Sequence, residues 1–167
     1  MKPLFLAASL ACLPVTAFAQ SFDILHEGPT WTTTLLGTAG AEVTCSLRNT
    51  TGGDKWLSLN ANTGVEGDFF ILGDPERATE EPKELRLLVQ FDEGVRFLRP
   101  GFATGDTVMF FLPALETEAT LFQAQLFNAE TIRIRRLDDN SVVTFRSDAM
   151  RPALLTWADC VEQALPR

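Results

Sequence analysis

The residues of this chain with the most restrictive chemistry are its thiols, its single histidine and its one run of basic side chains. The cysteines are Cys12, Cys45 and Cys160. Cys12 falls inside an N-terminal stretch that reads as a removable leader, which leaves Cys45 and Cys160 as a pair. Two thiols in an exported chain meet an oxidising compartment and join as a structural disulfide. The rival readings are two buried free thiols or a redox pair, although a redox pair is usually written Cys-x-x-Cys, a spacing this chain lacks. The loop closed by a Cys45–Cys160 bridge is long, and the chain-entropy argument assigns it roughly 4–5 kcal/mol.

No catalytic set assembles around the other reactive groups. A nucleophilic triad needs a base held by an acid and touching Ser or Cys. His26 is the one histidine, and no Gly-x-Ser-x-Gly elbow is present. Zinc needs three or four His, Cys or acidic ligands at set spacings, which one histidine and two distant cysteines do not supply. Haem attachment through Cys-x-x-Cys-His and a phosphate loop of the Gly-x-x-x-x-Gly-Lys type are both missing. The expectation is therefore no catalytic residues, no metal and no cofactor. Residues 73–83 hold Asp74, Glu76, Glu80 and Glu81 beside Pro75 and Pro82. Acidic oxygens suit calcium, but the D-x-D-x-D-G order of a calcium loop is absent, so the stretch reads as a solvated connection.

Arg133, Arg135 and Arg136 form the one basic cluster in a chain of 14 basic and 22 acidic residues. They make a possible partner surface, weighed against the wet face of an antiparallel sheet. Trp56 joins them as a candidate contact, because Trp31, Trp56 and Trp157 could line a groove as well as pack the interior.

The compartment follows from the first residues. Lys2, the apolar run at 4–15 and Ala17-Phe18-Ala19 are the three parts of a signal peptide with cleavage after Ala19. The apolar run is short of the roughly 20 residues a membrane span needs. Loss of Lys2 takes the net charge from −8 to −9. Such a balance argues against nucleic acid, which needs a basic footprint, and against anionic lipid surfaces. The expected protein is periplasmic or secreted, with no stable membrane insertion after cleavage, and residues 20–167 form a single domain.

The elements that must position these residues are mostly strands. Residues 31–36 read as a first strand after a short lead. At 41–48, Val43, Cys45 and Leu47 alternate with polar neighbours, and 49–54 is a turn cluster. Residues 56–60 return, with Leu57 and Leu59 inward. Residues 68–72 are apolar on both faces. Leu85, Leu87, Val89 and Phe91 begin a hairpin that turns at 92–94, continues through Val95 and Phe97, and ends at 99–101. Residues 107–112 form another strand. Residues 116–129 fit either helix or strand, with helix preferred for its face of Phe122, Leu126 and Ala129. A second hairpin pairs 131–137 with 141–146. The final helix spans 150–165, with Met150, Leu154, Trp157, Val161 and Leu165 on one face and Cys160 beside it. Ser147 or Asp148 should cap it, with Pro152 in the first turn. The expected fold is α+β and β-rich: a twisted antiparallel sheet or sandwich with a C-terminal helix packed on it.

The layout resembles the invasion-associated locus B family of exported alphaproteobacterial proteins. The likeness runs from Trp31 and the strand bearing Cys45 to Ser141-Val142-Val143-Thr144-Phe145, which leads into the helix with Ala153-Leu154 and Cys160. Family members carry a further Cys-x-x-x-Gly-Cys cluster that this chain lacks. The resemblance implies a non-enzymatic envelope protein and transfers no catalytic residue.

Three functions remain open. The first is a non-catalytic exported protein that binds another protein or an envelope component. The second is a carrier of a small apolar ligand, which a cavity lined by Phe69, Phe97 or Phe110 would support. The third is a hydrolase using two carboxyls across one cleft.

Overall fold

The computed structural model describes residues 20–38, 42–113 and 115–165; the expected leader and its cleavage site lie outside them. Ten strands form one antiparallel sheet. In chain order they are β1 (Gln20–Glu27), β2 (Trp31–Thr38), β3 (Val43–Gly52), β4 (Lys55–Asn62), β5 (Val65–Gly73), β6 (Thr79–Phe91), β7 (Arg96–Gly105), β8 (Thr107–Phe111), β9 (Thr131–Arg136) and β10 (Val142–Arg146). The helices are α1 (Glu116–Asn128), between β8 and β9, and α2 (Met150–Ala164), after β10. Across the sheet the order is β1-β2-β3-β4-β5-β8-β7-β6-β9-β10.

Period-two alternation sorts the strands into two faces. Leu47, Leu57, Leu59, Phe70, Leu72, Leu87, Val89, Phe110, Ile132, Ile134 and Phe145 are all buried on the inner face. Both helices lie against that face. Phe122 of α1 packs on Phe97, Phe91 and Phe70, with ring centroids 4.9, 5.0 and 5.9 Å away. On α2, Leu154, Trp157 and Cys160 are buried. Thr33 of β2 donates to the Ala153 carbonyl (2.7 Å) and the Trp157 indole donates to the Cys45 carbonyl (3.0 Å). The Cys45–Cys160 disulfide is formed, its Cα atoms 6.0 Å apart.

The sheet curls until its last strand meets the end of β3. Asn49 donates its amide to the Arg146 carbonyl (2.5 Å), and the Arg146 N–H donates to the Thr51 hydroxyl (2.9 Å). Gly52 permits this approach, because a Cβ there would sit 2.7 Å from the Phe145 ring.

Several boundaries differ from the sequence reading. The short lead is strand β1, paired with β2. β3 runs on through Asn49–Gly52 because Asn49 is needed at the β10 closure, so the turn shrinks to Gly53-Asp54. The connection at 73–83 is mostly strand: one 3-10 turn occupies Pro75–Arg77 and β6 starts at Thr79. β7 does not stop at 99–101 but continues to Gly105. Pro100 is tolerated there because pairing with β8 begins only at Gly101. Neither proposed cap is used on α2. Ala149 holds the N-cap position with φ +60°, while Arg146 occupies the Asp148 carboxylate.

Candidate functional site

Strand parity settles the fate of the three clustered arginines. Arg133 and Arg135 point outward, whereas Arg136 shares the inner face with Ile132 and Ile134 and is 4 % exposed. Arg136 is therefore removed from the partner surface. Its guanidinium donates to Asp138 through Nε (3.3 Å) and Nη2 (3.1 Å), and to the Arg77 carbonyl (3.3 Å). Lys83 donates to the same carboxylate at 2.9 Å.

These bonds, Arg136 first, hold the Asp138 carboxyl well below the usual carboxylate range. A lowered folded-state pKa stabilises the fold above the ordinary value near 4, and that contribution is lost as pH falls. Asp138→Asn should cost about 2 kcal/mol at neutral pH. That is less than the 3–5 kcal/mol of a fully orphaned buried charge, because Asp139 lies 4.0 Å from Arg136. The variant should also flatten the fall in melting temperature between pH 5 and pH 3. An identical acid profile in wild type and variant would count against the pair as an acid-labile contact.

Sheet register brings outward arginines together from three strands. Gln90 of β6 pairs with Arg96 of β7 on one side and Arg133 of β9 on the other. In the next outward row, Leu88 pairs with Leu98 and with Arg135, and Arg135 pairs with Val142 of β10. Arg86, opposite Pro100, stands one row further. Adjacent strands lie about 4.8 Å apart. Arg96 and Arg133 therefore flank Gln90 at about 10 Å from one another. A concavity of about 310 Å³ is lined by Leu88, Gln90, Arg96, Arg133, Arg135 and Val142.

Contacts to acids or a ring separate these arginines from the other arginines near the sheet; Arg151 of α2 also meets no acid among the described residues but lies on a helix and not on this face. Arg77, Arg99, Arg136 and Arg146 each meet an acid, and Arg48 lies over the Trp56 ring at 4.2 Å. Among the described residues, Arg86, Arg96, Arg133 and Arg135 meet no carboxylate within 4.0 Å. Their mutual repulsion in water is small, about 0.4 kcal/mol for a pair 10 Å apart, so the arrangement persists without a partner. A multivalent anion would meet several planar donors at once.

Beside the arginines lies an apolar hollow of about 400 Å³ on the same face, lined by Glu84, Arg86, Pro100, Phe102, Met109 and Phe111 among others. Phe102 and Phe111 are exposed there. Trp56 of β4 lies under the Arg48 guanidinium and is not among the residues that line the arginine concavity.

The other sequence candidates disperse. Phe69 points outward while Phe97 and Phe110 point inward, so the three do not line one space. Phe110 stacks on Phe70 at 5.1 Å within the packed interior. Among the described residues, no three His, Cys, Asp or Glu side chains converge as a metal site would require. Two of the four acids of the 73–83 stretch meet a cation instead, Glu76 lying 2.7 Å and Asp74 3.8 Å from the Lys55 ammonium. No helix among the described residues is long and apolar enough to cross a membrane.

Comparison with protein-family models, with curated proteins and with solved structures finds no match for this chain.

Proposed function

We propose that this is an exported, non-catalytic binding protein whose outer sheet face engages an envelope macromolecule bearing clustered anionic groups. The observation that carries the reading is a group of four exposed arginines on one sheet face, Arg86, Arg96, Arg133 and Arg135, that meet no carboxylate among the described residues, in a chain of net charge −8. An acidic chain has carboxylates to spare, yet these cations face solvent. Such an island of positive potential steers an anionic partner and fixes its orientation. The neighbouring Phe102 and Phe111 supply apolar area that charge alone does not. Export is supported by the leader motif and by the Cys45–Cys160 bridge, which is compatible with an oxidising compartment. The periplasmic placement and the likeness to the invasion-associated locus B proteins belong to the same reading, and the latter rests on the quoted motifs alone.

The test is binding of the mature chain to solubilised envelope material, comparing wild type with Arg96→Glu/Arg133→Glu/Arg135→Glu. All three positions are exposed, so the fold should survive, and the melting temperature checks this. The triple variant should bind at least 10-fold more weakly. Wild-type binding should fall steeply between 50 and 200 mM salt, as screening of exposed charges requires. Equal retention of the same material by both proteins would overturn the assignment.

A further inference from the structure

The charged and the apolar parts of the outer face meet at one residue. Arg86 of β6 stands opposite Pro100 of β7. Leu88, two residues on, pairs with Arg135 of β9, and Glu84, two residues back, pairs with Phe102 of β7. Arg86 is therefore the diagonal neighbour of Arg135 on one side and of Phe102 on the other. Diagonal partners in an antiparallel sheet stand about 7–8 Å apart, within reach of long side chains. Beyond Phe102 the hollow of about 400 Å³ continues over Met109, its partner on β8, to Phe111. Phe102 and Phe111 are 43 % and 44 % exposed, so both rings are open to a ligand. The volume falls in the range of ligand-binding clefts.

A pair of cationic donors that runs into an apolar trough complements an amphiphile. Resting on the anionic-partner reading above, we infer that this face binds a lipid phosphate as a single molecule. The phosphate is held between Arg86 and Arg135, and an alkyl chain lies over Met109 between Phe102 and Phe111. Guanidinium groups suit the head because their planar donors match phosphate oxygens two at a time. Glu84 sets the polarity. Its carboxylate lines the apolar end of the hollow, so an anionic head is repelled there and turned toward Arg135. The net charge of −8 disfavours approach to an anionic bilayer as a whole, so the occupant is one lipid molecule and not a membrane surface.

The experiment titrates the mature, oxidised protein with methyl phosphate, octyl phosphate and octyl glucoside, each below its micelle concentration. These supply the head alone, the head with a chain, and the chain on a neutral head. Backbone amide shifts of β6 and β7 are the readout, because they follow weak binding as well as tight. Each methylene taken out of water is worth about fourfold in affinity. Octyl phosphate should therefore bind at least 30-fold tighter than methyl phosphate, and at least 10-fold tighter than octyl glucoside. Phe102→Thr/Phe111→Thr keeps strand-forming side chains. It should remove the advantage of octyl over methyl phosphate and leave methyl phosphate binding unchanged. Either single substitution should narrow that advantage at least threefold, and serves should the double variant misfold. Arg86→Glu/Arg135→Glu should remove the advantage of octyl phosphate over octyl glucoside. Absence of saturable binding by octyl phosphate, binding no tighter than that of methyl phosphate, or an advantage that persists in every folded Phe variant would overturn the lipid assignment. Loss of envelope material from the arginine triple variant would then still support the charged-face reading. Octyl phosphate bound equally by wild type and by Arg86→Glu/Arg135→Glu would overturn the lipid assignment through its head.

Discussion

Reduction of the Cys45–Cys160 bridge should lower the stability of the fold by roughly 4 kcal/mol and its melting temperature by about 10 °C, without unfolding it at room temperature. The bridge joins residues 115 apart in sequence. A cross-link of that span removes many conformations from the unfolded chain, which is where most of its effect lies in the entropy account. In the folded state α2 keeps other attachments, namely the Thr33 hydroxyl on the Ala153 carbonyl and the Trp157 indole on the Cys45 carbonyl. The reduced protein should therefore retain its near-ultraviolet dichroism while melting earlier. Cys45→Ala should melt at the reduced temperature and become indifferent to reductant. A melting temperature that does not move on addition of reductant would show that the bridge contributes nothing to stability.

Phe122→Ala is the second large expectation, at about 4 kcal/mol. Phe122 is fully buried and makes tilted or edge-on contacts with Phe70, Phe91 and Phe97. Among the described residues it is the ring that joins α1 to three strands at once. Truncation removes those contacts and leaves a void that the curved sheet cannot close, because its strands are held in register on both sides. Phe122→Leu fills most of the space and should cost about 1 kcal/mol. Leu121→Ala is the control: the side chain is 42 % exposed, so a change within about 0.5 kcal/mol is expected. Urea unfolding of the three variants reads this directly. A Phe122→Ala protein as stable as Leu121→Ala would mean that α1 does not depend on the aromatic cluster.

How much of this was legible in the chain depends on the kind of signal. Alternation is local, so the inner faces of β3, β4, β6 and β9 could be read from Val43-x-Cys45-x-Leu47, Leu57 and Leu59, Leu85 to Phe91, and Ile132 and Ile134. The 3.6 period was equally clear in α2, and the pairing of Cys45 with Cys160 followed from there being no other partner. Where alternation is broken, the reading failed. β1 has a register shift between Ile24 and His26, so its period-two pattern is interrupted and the strand looked like a lead. Pro100 looked like a stop because its missing N–H harms a ladder, and only the register shows that β8 does not reach it. The cap of α2 was misassigned because Asp148 is claimed by Arg146, a contact across two residues that spacing does not announce.

The arginine site divides along the same line. Parity alone places Arg135 and Arg136 on opposite faces of a strand, so the exclusion of Arg136 was available from the sequence. The addition of Arg96 and Arg86 was not. They lie some forty residues from Arg133 and join it only because β6 is sandwiched between β7 and β9, an order no local pattern encodes.

The cover of β2 and β3 has a bearing on the order in which the molecule is put together. Trp31, Cys45 and Leu47 are buried, and α2, which packs over β2 and β3, emerges from the ribosome long after them. For more than a hundred residues of synthesis the early hairpins carry a greasy surface with nothing to hide it. The thiol coupling then acts as a latch, because Cys45 has to wait for Cys160, 115 residues later, before it can close.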